Sequence, residues 1–281
     1  MRSEQKLSLS KSLGRAYRQI IYLLLFISLS IPLIKPIGLP VPIHETTLGV
    51  YNTIEALEPG DVVVMASNIG AAIASEVYPQ YIAVLEHVLR KDGVKILLVD
   101  HSTEAPIWTE KALEELNAYE RKSYGEDFVH IGFIPGGESG IAGICRDIHS
   151  LIQVDYHGYS LSELPMMAEI RDATDFTIVI DFSASADTQF WLNQAYAPYG
   201  TRVAFGLTAV KVPDAVAYYT AGQIFGIIES LKGAAEYEIL IKRPGIAAKG
   251  MDAQSIAHLL YIGLIVVGNI IFFVSKTQRK R

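Results

Sequence analysis

Val94–Asp100 reads VKILLVD, an apolar run that follows the turn dipeptide Asp92-Gly93 and ends in an acid. Four further runs of this kind are Asp61–Ala66 (DVVVMA), Phe128–Ile134 (FVHIGFI), Phe176–Phe182 (FTIVIDF) and Arg202–Leu207 (RVAFGL). Short runs that are apolar almost throughout are typical of strands with both faces buried, as in a parallel sheet. We therefore interpret each of them as a buried strand.

The segments between these runs space their apolar residues as helices do. They are Ala71–Arg90, Trp108–Lys122, Ser139–Ile152, Leu161–Ile170 and Thr188–Tyr196. Another helix is predicted from Pro213 to about Ile241, although the glycines within it weaken it and could break it. The alternation predicts an α/β fold with a Rossmann-like, doubly wound, mostly parallel five-stranded sheet.

Apolar stretches bracket this domain at Ile20–Ile34 and Ile256–Val274. The second is long enough to cross a hydrocarbon core of about 30 Å as a helix. We interpret the first as an uncleaved anchor rather than a signal peptide, since no small-x-small cleavage pattern follows it cleanly. The expected order is a basic tail (1–18), a transmembrane helix (19–35), a proline-rich spacer and domain entry (36–58), the α/β domain (59–250), a second transmembrane helix (255–275) and a basic tail (276–281).

Basic residues lie outside both apolar stretches. They are Arg2, Lys6, Lys11, Arg15 and Arg18 before the first, and Lys276, Arg279, Lys280 and Arg281 after the second. Lys and Arg beside membrane spans stay on the cytoplasmic side. The pattern predicts a two-pass protein of the cell membrane, with both termini cytoplasmic and the domain extracytoplasmic.

The middle of the chain is strongly acidic. Residues 36–275 contain 14 Lys and Arg against 29 Asp and Glu, a net charge near −15. This field repels nucleic acid, which we exclude as a partner. The expected partners are the lipid bilayer and either further copies of the chain or another subunit of a membrane complex. The single cysteine, Cys145, excludes an intrachain disulfide.

Polar and small residues gather after the predicted strands. Ligands of doubly wound sheets bind beyond the carboxyl ends of the strands, which makes these residues the candidate ligand site. Helix capping accounts for many of them, but it does not explain why Asp100 and Asp181 end apolar strands. The candidate ligand-binding residues are Ser67, Asn68, Gly136, Gly137, Glu138, Ser139 and Thr208.

Three other interpretations of these loops stay open. Asp100, His101, Asp181 and Ser183 are the candidate catalytic residues of a hydrolase, although the chain has no Gly-x-Ser-x-Gly motif. No cofactor is predicted, but a divalent cation could bind the carboxylates of Asp100, Glu138, Asp181 and Asp187. The glycines of Pro135–Gly140 (PGGESG) could cradle an anion or simply form a tight turn, and Asp155–Tyr159 (DYHGY) could be a lid or a plain loop.

Contacts between subunits are predicted at two places near the second anchor. Asn269 places an amide inside an apolar helix, where it seeks a hydrogen-bond partner. The small and acidic segment Lys232–Glu238 precedes that helix, and Glu236 and Tyr237 are its candidate interface residues. The favoured function is a ligand- or partner-binding module without catalysis in an oligomeric assembly. The alternatives are a membrane-tethered hydrolase and a structural subunit of a membrane complex.

Overall fold

The computed structural model describes residues 2–184 and 187–278, with side chains for residues 17–184, 189–274, 276 and 277. Ser185 and Ala186, in the loop after the fourth strand, lie outside the described residues, as do Arg279, Lys280 and Arg281 of the basic tail. The chain forms two compact units. One is Val41–Ala247, and the other combines Met1–Pro40 with Ala248–Arg281.

A parallel sheet is the centre of the unit Val41–Ala247. Its six strands have the order β3-β2-β1-β4-β5-β6, and every neighbouring pair is parallel. The prediction of a mostly parallel α/β sheet is confirmed, but the predicted number of five strands is wrong. The strands are β1 (Val62–Ser67), β2 (Lys95–Asp100), β3 (Phe128–Phe133), β4 (Ile178–Ser183), β5 (Arg202–Leu207) and β6 (Ile227–Glu229).

Helices connect the strands and cover the sheet. In chain order, the helices of both units are α1 (Arg2–Ile34), α2 (Glu45–Glu55), α3 (Ala74–Leu89), α4 (Ala105–Glu115), α5 (Ala118–Arg121), α6 (Glu138–Arg146), α7 (Ile148–Leu151), α8 (Pro165–Glu169), α9 (Asp187–Trp191), α10 (Ala197–Tyr199), α11 (Val212–Thr220), α12 (Ser230–Leu240) and α13 (Ile246–Gln278). A 3₁₀ turn precedes α8 at Leu161–Glu163, and a π-helical segment, Leu192–Tyr196, follows α9.

The sixth strand lies where a single long helix was predicted. The helix α11 ends before Gly222, which adopts a left-handed φ of +72°, and β6 follows as a strand of three residues. A strand this short carries too few residues for a periodicity to reveal it. Gly226 lies against Val50 and the Thr46 carbonyl of α2, so that a side chain here would collide with that helix.

Alternate residues of each strand pack against helices on opposite faces. Val63 and Met65 of β1 point to one face, here called the α3 face, which α2, α3, α4 and α12 cover. Val64 and Ala66 point to the other, here called the α6 face, which α6, α7, α8, α9 and α11 cover. All six residues of β1 are buried, as two-sided coverage requires.

The second unit contains two helices that are long and apolar enough to cross a bilayer. These stretches are Tyr17–Ile34 in α1, with a mean hydropathy of 1.7, and Ile246–Val274, within α13, with 2.3. Most of their large apolar side chains are exposed in the single chain.

A buried carboxylate ties together the segments at the ends of these helices. Asp252 of α13 is 3% exposed and accepts hydrogen bonds from three successive backbone N–H groups after α1. The donors are Ile37 at 2.7 Å, Gly38 at 2.8 Å and Leu39 at 2.9 Å, and Gly38 takes a left-handed φ of +75°. We call this contact the Asp252 clasp. It fixes the proline-rich segment that leaves α1 onto the beginning of α13.

Replacing Asp252 with Ala should release this segment. Three N–H groups would lose a charged acceptor, and hydrogen bonds to charged groups contribute about 1.5–3 kcal/mol each. Hydrogen–deuterium exchange of the full-length protein in detergent should then show the amides of residues 37–39 exchanging at least about 100-fold faster. Asp214→Ala, at an exposed carboxylate that pairs with Lys211, is the control and should leave this exchange unchanged. Equal exchange in all three proteins would contradict the clasp.

Candidate functional site

The strand order places a topological switch point between β1 and β4, here called the crevice. The chain builds β1, β2 and β3 outward in one direction and then returns to place β4 on the other side of β1. In doubly wound sheets, ligands bind at such a switch point, beyond the carboxyl ends of the strands. The predicted residues Ser67, Asn68, Asp181 and Ser183 all lie here, and the N–H of Asn68 extends the sheet ladder to the Phe182 carbonyl at 2.9 Å.

The sheet divides these residues between its two faces. Ser67 is level with Asp100 in the ladder, and both lie on the α3 face by alternation. Asp181 is level with Ala66 and lies on the α6 face with Ser183. Two strand spacings, about 10 Å, therefore separate the backbones of Asp100 and Asp181 at the same edge. A single site that uses both carboxylates would have to reach around the end of β1.

His101 belongs to the α6 face. Its Nε2 accepts a hydrogen bond of 3.3 Å from Nε1 of Trp191, which is fully buried in the core of that face. An indole N–H only donates, so His101 presents this nitrogen as an acceptor. A general base for a serine would need the same lone pair. Ser67 lies on the other face, and its Oγ accepts from the N–H of Ile69 at 3.3 Å.

The PGGESG loop is a turn whose own carboxylate, that of Glu138, lies at the start of α6. Gly136 and Gly137 adopt left-handed φ values of +98° and +55°. Glu138 begins α6, and its Oε1 accepts hydrogen bonds of 3.0 Å from Gln194 and Asn193. Those two hydrogen bonds lower the pKa of Glu138, which holds its negative charge at the helix start. Ser139 is exposed beside it.

Thr208 ends the row of predicted ligand residues. It follows β5 and is 4% exposed. Within the described part of the chain, its Oγ1 has no hydrogen-bond partner, although a buried hydroxyl normally has one. Thr208 therefore offers a hydroxyl near the same sheet edge.

The prediction of a cation site stays a prediction. Among the side chains that the structure describes, no group of three or more His, Cys, Asp or Glu residues has an arrangement that could hold a metal ion. The side chain of Asp187 lies outside that description. Asp100 already forms an ion pair, which gives it an internal role.

The structure also brings together a buried group that sequence reasoning missed. Asp100 accepts from Thr109 Oγ1 at 2.8 Å and pairs with Nε2 of His130 at 2.6 Å. The other nitrogen of His130, Nδ1, lies 2.5 Å from Oε1 of Glu110. Asp100 and His130 are fully buried. The signal that could have revealed this group is the lone histidine in the apolar run FVHIGFI.

His130 is a cation held between two carboxylates. Burial lowers the pKa of His130, but the hydrogen bonds to Asp100 and Glu110 more than offset this effect and raise the pKa to about 9. Both ring nitrogens then donate at neutral pH. The contacts of His130 with Asp100 and Glu110 hold α4, which carries Glu110, against β2 and β3.

Hydrogen bonds continue from this group to the surface. Tyr119 donates to Glu110 at 2.8 Å, and its hydroxyl lies 3.0 Å from Nε2 of His157. Tyr156 stacks on the His130 ring with centroids 4.5 Å apart. His157 and Tyr156 both belong to the DYHGY turn, so this turn covers His130 at the edge of the sheet.

The segment Lys232–Glu238 has internal partners. Glu236 and Tyr237 are fully buried within the single chain. Glu236 accepts from the His44 N–H at 3.0 Å, and the Tyr237 hydroxyl lies 2.9 Å from Nδ1 of His87. These contacts give both residues a role inside the domain. Their predicted role in a subunit contact stays a prediction, as does that of Asn269, which is exposed on α13.

No family model matches the chain, and a comparison with curated proteins found no match to its sequence. Function therefore has to be inferred from the site itself.

The contacts of His130 with Asp100 and Glu110 predict that the stability of the protein depends on pH. The folded pKa of His130, about 9, lies above its usual value near 6.5, so its contribution is complete below about pH 6.5 and is lost as the pH rises through 9. His130→Gln should lower the free energy of unfolding by about 3 kcal/mol at pH 6 and by much less at pH 10. Chemical denaturation of the wild type and of His130→Gln across this pH range measures this difference in the free energy of unfolding. A difference in the free energy of unfolding that stays constant with pH would contradict the charged state of His130.

Proposed function

We propose that the chain is a two-span membrane protein whose extracytoplasmic α/β domain binds a small ligand, without catalysis, at the crevice between β1 and β4. The observation that carries the proposal is the strand order, which creates a switch point where polar residues end otherwise apolar strands. Asn68, Asp181, Ser183 and Thr208 are the residues that we assign to the ligand.

The membrane assignment rests on two features of the terminal helices. α1 and α13 each contain an apolar stretch long enough to span a bilayer, and the tails beyond these stretches are basic. Both tails would then lie in the cytoplasm, with the unit Val41–Ala247 outside.

The chemistry of the crevice favours a neutral or cationic ligand. The candidate groups are a carboxylate, an amide and two hydroxyls, which suit a ligand with hydroxyl or amino groups. The net charge of the domain, near −15, would repel anions from this edge.

A hydrolase is the second candidate because His101, Asp181 and Ser183 share the α6 face. The hydrogen bond from Trp191 to His101 Nε2 makes it the weaker one, since it engages the nitrogen that a general base would use. Assembly into an oligomer through Asn269 is compatible with either function.

A ligand screen against matched variants tests the binding site. Purified full-length protein in detergent is heated with defined sugars, amino acids, polyamines and divalent cations. A ligand at 100 times its Kd stabilises by about 2.7 kcal/mol, which raises the midpoint by about 5–10 °C. We expect a neutral or cationic compound to do so in the wild type and in the control Ser162→Ala, but not in Asn68→Leu or Ser183→Ala.

Two outcomes would contradict this assignment. Equal stabilisation of all four proteins would place the ligand elsewhere. Hydrolysis of a p-nitrophenyl ester that is lost in Ser183→Ala would replace the binding module with the hydrolase.

A further inference from the structure

The basic residues of the domain concentrate at the edge of the sheet opposite to the crevice. Three dibasic pairs lie at the ends of α3, α5 and α12: Arg90-Lys91, Arg121-Lys122 and Lys242-Arg243. The first two pairs precede β2 and β3, which places them at the amino ends of these strands. The three pairs account for six of the 14 Lys and Arg residues between residues 36 and 275.

The fold gathers these pairs around one buried carboxylate. Glu86 is 5% exposed, and its Oε1 accepts from Nε of Arg90 at 2.8 Å. Its Oε2 lies 2.6 Å from guanidinium nitrogens of both Arg121 and Arg243. Lys122 donates to the Lys91 carbonyl at 2.8 Å, which joins two of the pairs directly. We call this group the basic cluster.

Positive charge is in excess at this place. Glu86 and Glu55 are the carboxylates that form ion pairs with members of the cluster. Glu115 and Glu238 line the neighbouring cavity. Among the described side chains, four of the six cations of the cluster form ion pairs with these two carboxylates, Glu86 and Glu55, in a domain whose overall charge is near −15. Cations held close together repel one another unless an anion joins them.

A cavity opens beside the cluster. Its volume is about 400 Å³, within the range of small-molecule sites. Arg90, Lys91 and Lys242 contribute its cations, and Tyr51 and His87 contribute stacked rings 4.9 Å apart. Glu55 also lines it, and its carboxylate pairs with Lys91 at 3.9 Å and with His87 at 3.2 Å.

Lys242 occupies a backbone position that disfavours lysine. It follows α12 with a left-handed φ of +54°, and its N–H bonds to the Ile239 carbonyl at 3.0 Å. Helices usually place glycine or asparagine at such a position, since other side chains are strained there. The side chain of Lys242 is exposed and has no ion-pair partner among the described residues. The backbone therefore does not account for a lysine here, whereas its charge beside the cavity would.

We propose that this cavity binds the phosphate group of an anionic ligand, with Arg90, Lys91 and Lys242 around the phosphate and the Tyr51–His87 stack beside the rest of the molecule. Arginine and lysine are the residues that recognise phosphate. The phosphate could belong to a lipid headgroup or to a soluble ester. Both sources present the same phosphate oxygens to these cations.

The test uses a variant that separates binding from folding. Lys242→Gly removes the charge and relieves the left-handed strain, so the thermal midpoint without ligand should stay equal or rise. Its affinity for phosphate should fall about tenfold, as expected for the loss of one charge-assisted contact. The double variant Lys91→Gln/Lys242→Gly should bind still more weakly. The matched control is Lys211→Gly, which removes a partly exposed lysine that pairs with Asp214 near the other edge, after β5.

Two probes distinguish the sources of the phosphate. Pyrophosphate is titrated into full-length protein in detergent, and the protein is separately reconstituted into nanodiscs of phosphatidylglycerol or phosphatidylcholine for native mass spectrometry. Loss of pyrophosphate binding in Lys242→Gly but not in Lys211→Gly supports a soluble ligand. If Lys242→Gly but not Lys211→Gly loses retained phosphatidylglycerol, and pyrophosphate does not bind, the phosphate belongs to a lipid headgroup. No binding of either probe, or an equal loss in Lys242→Gly and Lys211→Gly, would overturn the proposal.

Discussion

Two-sided burial of the central strand β1 is the constraint on which the rest of this fold depends. Its six residues are buried and pair with β2 on one side and β4 on the other. Both faces of such a strand need apolar side chains and helices that cover them, which gives the three layers. Polar groups are then confined to the strand ends, or they must find partners inside.

The buried charges of the domain follow from the same constraint. His130 and Glu86 are buried in the domain, and each has opposite charges around it. Asp252, in the other unit, is buried against three backbone N–H groups. Burying a charge is costly unless it is paired in this way. Each group also joins separate segments of the chain: α4 to β2 and β3, the three dibasic helix ends to one another, and the segment after α1 to α13.

Much of the architecture is readable from the sequence, because buried parallel strands are apolar throughout and stand out from the helices between them. The strands β1 to β5 and the polar residues after them could be predicted in this way. The strand β6 could not, since three residues carry no periodicity. The helix α2 lies within residues 36–58, where the prolines that precede it are typical of an extended spacer.

The buried network and the basic cluster were missed for a different reason. His130 and Glu110 lie 20 residues apart in the sequence, and Arg90 and Arg243 lie on separate helix ends. Residues of this kind can be recognised as neighbours only when the strand order is known. The sequence also could not place Glu236 and Tyr237, because a helix of small residues beside acids can face the core as well as a partner.

Cysteine labelling in intact cells tests the central claim, an α/β domain held outside the membrane by two spans, most directly. Ser162→Cys places a thiol on the exposed surface of the domain, Ser3→Cys places one in the first tail, and the native Cys145 is buried. A membrane-impermeant maleimide should label the first variant in intact cells and the second only after permeabilisation. Labelling of Ser3→Cys but not Ser162→Cys in intact cells would contradict this topology.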